Sequence, residues 1–288
     1  MSHIGWRLVE VASRAVEPDE RDAVGGDLAE SGETAGQALG SVLSLVVRRQ
    51  AELWKDWRSW LVLTLLIIPL GTLLAIASRI AAGQNATYMW LYLNNWDWSL
   101  LRYAEFWYEL RDSVALLFVR CLSLACWSWT AGFVLGFVSR RLILANTFLF
   151  CFVLLVGEVV VAPRFLAYFV RVIQPPYQND PITTLAFYRS AFPVLVQIVL
   201  VAAPCIWAMR QGAGLGSLPP LRRTAVWVAA VVTLLELLIR QPGVGFLLGT
   251  YRHPEFWRQV RVFQFIAYWP AVYLLGKTIG QRWYRIHI

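Results

Sequence analysis

The chain has 288 residues, 58% of them hydrophobic and only 15% charged, with a formal net charge of +8. Soluble domains run at roughly 45–50% apolar with about a quarter charged, so this balance argues against a cytosolic enzyme, a disordered chain or a nucleic-acid-binding protein and points to a polytopic membrane protein. The charge is uneven: residues 1–47 carry a net −5 and the remainder +13, mostly flanking apolar runs, where basic side chains anchor to headgroups.

The head comes first. Ile4, Leu8, Val11, Ala12 and Ala15 recur at three-to-four spacing and predict one face of a short amphipathic helix. Residues 1–16 lack the long apolar stretch of a cleavable signal peptide. Pro18, Asp19 and Glu20 suit the start of a second helix, weakened by Gly25 and Gly26 and ended by a turn at Gly32. From Thr34 a third helix should run toward the membrane with Leu39, Leu43, Val46, Val47, Leu53 and Trp54 on its buried side. Trp54, Trp57 and Trp60 recur every three residues, as in an interfacial belt on one helix side. Residues 1–58 are thus expected to be an acidic helical cytoplasmic segment ending in an amphipathic, basic, Trp-rich helix, and 59–288 an all-α transmembrane bundle.

Six apolar runs are long enough, or nearly so, to span: about 60–80, 113–138, 142–161, 191–209, 224–240 and 262–280. Pro163 interrupts the third, and 162–173 reads equally as a continuation, a kinked extension or an interfacial helix. Basic residues crowd the helix ends on the side of the N-terminus (Arg48, Arg49, Lys55 and Arg58 before the first run, Arg140 and Arg141 before the third), which predicts both termini in the cytoplasm.

The outer segment 83–112 is dense in aromatics, among them Trp90, Tyr92, Trp96 and Trp98. Alternation at 88, 90 and 92 predicts rings on one face of an extended strand, and 99–112 a helix lying in the interface. Aromatic platforms with nearby amides hold headgroups or sugars; the same residues also read as plain interfacial anchors.

The sharpest feature is charge within the spans: Arg120, Glu158 and Glu236. A charge near the bilayer centre costs about 2.5–3.5 kcal/mol on insertion scales, so it normally faces the bundle and finds a partner. Arg120 lies roughly 10 Å into its run, and each glutamate roughly 6 Å from the end of its own. With alternating helices all three fall in the outer half, together with Gln197 and Gln264. Two readings stand side by side: a polar cavity that binds a substrate headgroup or ion, or an Arg–Glu pair that fixes packing. Arg164 and Arg240, six and four residues after the glutamates, could also neutralise them.

The rest of the chain offers little chemistry. Cys121, Cys126, Cys151 and Cys205 sit in apolar runs without a CxxC pair, and the three histidines have no ligand spacing, so neither a metal site nor a cofactor is expected. Gly212, Gly214 and Gly216 lack the Lys-Ser/Thr of a phosphate loop and read as a flexible connector.

The head segment Glu17-Pro18-Asp19-Glu20-Arg21, followed by Gly26-Asp27-Leu28-Ala29-Glu30 and the basic, Trp-containing approach of Arg48, Arg49, Trp54 and Trp57, resembles the prefix segment found before some bacterial permeases. The whole chain also looks like a family of acidobacterial multi-pass membrane proteins. These resemblances imply a bacterial inner-membrane location but no catalytic or binding residue. Such permeases carry a large extracytoplasmic domain between the first two spans, where this chain has only 83–112; the resemblance therefore implies a reduced or accessory subunit. The expected function is a transport-type or accessory subunit of a membrane complex, in contact with the lipid bilayer and with a cytoplasmic protein at residues 1–33. A membrane-embedded enzyme acting on lipid-linked substrates and a purely structural membrane protein are the alternatives.

Overall fold

The computed structural model describes residues 3–13, 18–32, 34–94, 97–161, 193–240 and 264–286, and among these all regular structure is helical. The N-terminal unit is a cluster of α1 (His3–Ser13), α2 (Pro18–Ser31) and α3 (Ala35–Leu53). Gly32, at φ +64°, makes the turn before α3. Thr34 and Gln37 then start α3: the Gln37 Oε1 accepts from the Thr34 backbone N–H at 3.1 Å and from its hydroxyl at 2.8 Å. This is the returning half of a capping box.

The buried face matches the expected one only in part: Ala12, Leu39 and Val46 pack as expected. Val9, Ala38 and Val42 form the centre, with Ala12, Val24, Leu28, Leu39 and Val46 packed around it. Leu8, Val11, Leu43 and Val47 are exposed. Leu43 and Val47 each follow a packed residue, Val42 and Val46, by one position and so are rotated about 100° away from that contact.

The three tryptophans do not share one helix side either. The chain turns at Trp54–Asp56, and α4 begins at Trp57, with Asp56 capping it through the Arg58 N–H at 3.1 Å. Trp60 reaches back, donating from Nε1 to the Trp54 carbonyl at 3.1 Å. Helix α4 then runs continuously over 57–94. Its helical backbone through Asn94 replaces the strand expected around residues 88–92. After a 3₁₀ turn, Trp98–Arg102, comes α5 (Ala104–Val138), a single 35-residue helix that absorbs most of the interfacial helix expected at 99–112. No Gly or Pro interrupts 104–131, so the charged first turns simply prolong the apolar helix.

Helix α6 (Ile143–Val161) follows a tight turn, and then α7 (Pro193–Gly212), α8 (Pro220–Ile239) and α9 (Trp269–Ile286) complete the bundle. Segment 162–173, left open by the sequence, lies outside the described residues. Two π-helical stretches, Leu63–Ile67 and Gln197–Ala202, each end two residues before a proline, Pro69 and Pro204. A proline ring collides with the carbonyl four residues back and supplies no N–H, and the wider π turn accommodates both defects.

Small residues set the helix contacts. Gly132 and Gly136 on α5 face the Cys205 and Met209 carbonyls of α7, leaving no room for a side chain. On the other side a Cβ on Gly71 would stand 2.6 Å from Val153 Cγ1, and Gly157 lies against Ala75. In a bilayer, where lipid is as apolar as leucine, this close backbone approach is what holds helices together.

Three helices are long and apolar enough to cross a membrane: Trp57–Ala82, Ala104–Val138 and Pro193–Gly212; Ile143–Gly157 is a shorter apolar helix. The described residues thus supply three such helices where about six spanning runs were expected. The bundle's outside is strongly apolar, with Phe118, Phe148, Phe152, Val228 and Val272 exposed. A water-facing surface does not carry so much contiguous apolar area, which supports a membrane protein.

Candidate functional site

The bundle has two distinct ends. At one, Gly216 packs against the Arg140 guanidinium, which brings the turns after α5 and α7 together, and α3 rests against the 140–142 turn. Toward the other, the middle of α4 (77–81), the middle of α5 (116–127), Arg240 at the end of α8 and Gln264 before α9 line a cavity of about 380 Å³. Its polar wall is Arg120, Ser123, Arg240 and Gln264; its apolar wall includes Ile80, Leu116 and Val119.

Each polar side chain has a definite position. Glu236, 4% exposed, receives the Arg240 Nη2 at 2.9 Å. With its oxygen turned toward the guanidinium, as the network requires, the Gln264 amide accepts from Arg240 Nη2 and from Nη1 at 3.3 Å. The guanidinium also lies over the Trp127 ring, 5.7 Å from its centroid. Three elements therefore hold Arg240, while among the described residues its Nε and the second Glu236 oxygen have no hydrogen-bond partner. Ser123 donates to the Val119 carbonyl at 2.8 Å and stands 2.9 Å from the Tyr268 hydroxyl, which ties α5 to the entry of α9.

Arg120 is different. It is half-buried in the cavity wall, and among the described residues it makes no ion pair. Its guanidinium carries five donors, and no acid among the described residues engages them.

Of the residues singled out from sequence, Arg120 and Gln264 line one cavity, and Glu236 sits behind it on Arg240. Gln197 is buried elsewhere, donating to the Leu154 carbonyl at 3.1 Å, and links α7 to α6. The Glu158 side chain lies outside the described residues, as do those of Trp90 and Tyr92, and Trp96 does so entirely. Trp98 is 74% exposed beside the Asp97-capped turn. Sequence reasoning passed over Ser123, Trp127 and Tyr268. Helical spacing was the available signal: Ser123 is three residues from Arg120, and Tyr268 four from Gln264.

Among the described residues no group of three His, Cys, Asp or Glu side chains stands ready to hold a metal ion. Comparisons with family models, curated proteins and solved structures find no match.

Proposed function

We propose that the chain is a transport-type or accessory subunit of a complex in a bacterial inner membrane. Its N-terminal three-helix unit docks a cytoplasmic protein, and its outer-half cavity binds an anionic group. The observation that carries this reading is Arg120: an arginine inside a long apolar helix, facing a cavity and without an acid partner among the described residues. Packing alone would favour a compensated pair, because an unpaired charge in a span is costly. The buried acid that such a pair needs, Glu236, is held by Arg240 instead.

The head supports the docking half of the proposal. It combines exposed apolar side chains, Trp6, Leu8 and Val11 among them, with the acidic residues that give it its net negative charge. We further propose six spans with both termini cytoplasmic. The gathering of the head and of the turns after α5 and α7 at one end of the bundle is in keeping with that topology.

The test is co-purification from mild detergent. The full chain should bring down a partner that a variant lacking residues 1–33 does not. Recovery of the protein alone in both cases would sink the docking role.

A further inference from the structure

The Arg120 cavity has a charge and a shape that select one class of ligand, an inference that rests on the binding-site reading just given. We propose that it holds the phosphodiester headgroup of an anionic membrane lipid, with the lipid's first methylenes lying along the wall of Ile80, Leu116 and Val119.

Charge comes first. Two guanidinium groups and one carboxylate, Arg120, Arg240 and Glu236, leave the site with one net positive charge. A phosphodiester carries one negative charge and balances it. A zwitterionic headgroup would bring its own cation against two arginines and gain nothing.

The donors point the same way. The Ser123 proton is committed to the Val119 carbonyl, which leaves the Tyr268 proton for Ser123 Oγ. Arg240 spends its terminal nitrogens on Glu236 and Gln264. What remains unspent among the described residues is the Arg120 guanidinium, the buried Arg240 Nε and Trp127 Nε1, and the Gln264 amide N–H. Guanidinium donors match phosphate oxygens in a forked, charge-assisted geometry. The acceptors of the wall, Ser123 Oγ and the Gln264 amide oxygen, are already engaged by Tyr268 and Arg240, and no carboxylate lines it to hold a cation.

Shape then separates a lipid from a free anion. Ile80, Leu116 and Val119 line the cavity and are also 42%, 47% and 43% exposed. The cavity thus has an accessible apolar wall along which an alkyl chain can lie, which a free anion would not use. Its volume, about 380 Å³, lies within the ordinary range of ligand sites. It accommodates a headgroup phosphate with its adjoining methylenes.

The experiment uses the purified full chain in a neutral detergent, titrated separately with phosphatidylglycerol, phosphatidylcholine and inorganic phosphate. The readout is the concentration giving half-maximal thermal stabilisation. Phosphatidylglycerol should give a saturable shift, and the other two none over the same range. Arg120→Gln should raise the half-maximal concentration about tenfold or more, the loss of a charge-assisted contact. Ala77→Phe, which fills the cavity without touching a charge, should do the same and decides the matter if Arg120→Gln fails to fold. Arg111→Gln, whose side chain pairs with Asp112 away from the cavity, should keep the wild-type value. Equal stabilisation by phosphatidylcholine overturns the proposal, as does an equal response to inorganic phosphate, which would mark a free-anion site. So does a wild-type half-point in both cavity variants. Co-purification with the cytoplasmic partner reads a different surface, so a failed lipid titration with the partner retained removes the ligand and leaves the subunit reading intact.

Discussion

Arg240 folds back one helical turn to Glu236, its Nη2 2.9 Å from the Glu236 Oε1, so the acid buried at the end of α8 is neutralised by its own helix. The pair's consequence lies next door: it occupies the one described acid at that level and leaves Arg120 unmatched in the shared cavity. Local i,i+4 geometry wins because Arg240 needs no tertiary rearrangement to reach Glu236.

Breaking that pair from one side should be expensive. Arg240→Met leaves a 4% exposed carboxylate without its cation, a change that costs about 3 kcal/mol or more. The double variant Glu236→Leu with Arg240→Met removes both charges and should recover most of the loss. Chemical unfolding in detergent measures both. Equal destabilisation by the single and double variants would show that the ion pair is not the term that matters.

The crossing of α5 and α7 yields a second prediction. Any side chain on Gly136 must displace the Met209 carbonyl, and one on Gly132 the Cys205 carbonyl. Gly136→Leu should therefore separate the helices and lower the unfolding midpoint by several degrees, an overpacking cost of about 1–3 kcal/mol or more. Gly40→Ala on exposed α3, where a new methyl meets nothing within 4 Å, should instead stabilise by about 0.4–1 kcal/mol. Thermal melts of the two variants side by side check the contrast in sign.

Much of this arrangement was legible in the sequence, and the failures have physical causes. Apolar run length gave the helical class. Counting residues along alternating helices put Arg120, Glu158, Glu236, Gln197 and Gln264 at one level; Arg120 and Gln264 share a cavity with Glu236 behind it, whereas Gln197 is tied to the Leu154 carbonyl. The four-residue step from Glu236 to Arg240 was visible too, and so was its power to neutralise. Which face of a helix is buried proved harder. On α1 and α3 several apolar residues compete for the stripe, and a small one, Ala38, lies at its centre. Hydropathy ranks Leu43 and Val47 above it. Helix ends were misjudged where charge was taken for a boundary. Glu105, Glu109 and Arg111 are good helix formers, and they extend α5 beyond its apolar stretch. The π turns were readable in principle from Pro69 and Pro204, because the backbone defect lies within four residues of each proline.

The turn at Trp98–Arg102 gives a pH prediction. Asp97 Oδ1 accepts from the Ser99 N–H at 3.0 Å and Oδ2 from its hydroxyl at 2.7 Å. The Ser99 hydroxyl, and then its backbone N–H, hold the Asp97 carboxyl below the usual carboxylate range. A depressed folded value means that the cap's contribution is complete above the unfolded pKa of about 3.9 and is lost as pH falls through the lower folded one. Amide exchange at 98–103, compared with Asp97→Ala at each pH, should show protection in the native chain at neutral pH that shrinks toward the variant's below about pH 4. A constant difference between the two chains across that range would refute the cap.

Orientation can be settled by chemistry at two sites outside the spanning segments. The proposed topology, with the acidic head in the cytoplasm, puts the Asp97–Tyr103 connection outside. Cysteine introduced at Ser99 should react with a membrane-impermeant maleimide in intact cells. Cysteine introduced at Gly36, which faces open space on α3, should react only after lysis. The native chain supplies the background, because its four thiols are buried or half-buried in helices. The reverse pattern would invert the protein in the membrane and turn the Arg120 cavity toward the cytoplasmic leaflet. Labelling of both sites from outside would require α4 not to cross the bilayer, against the length and hydropathy of 57–82.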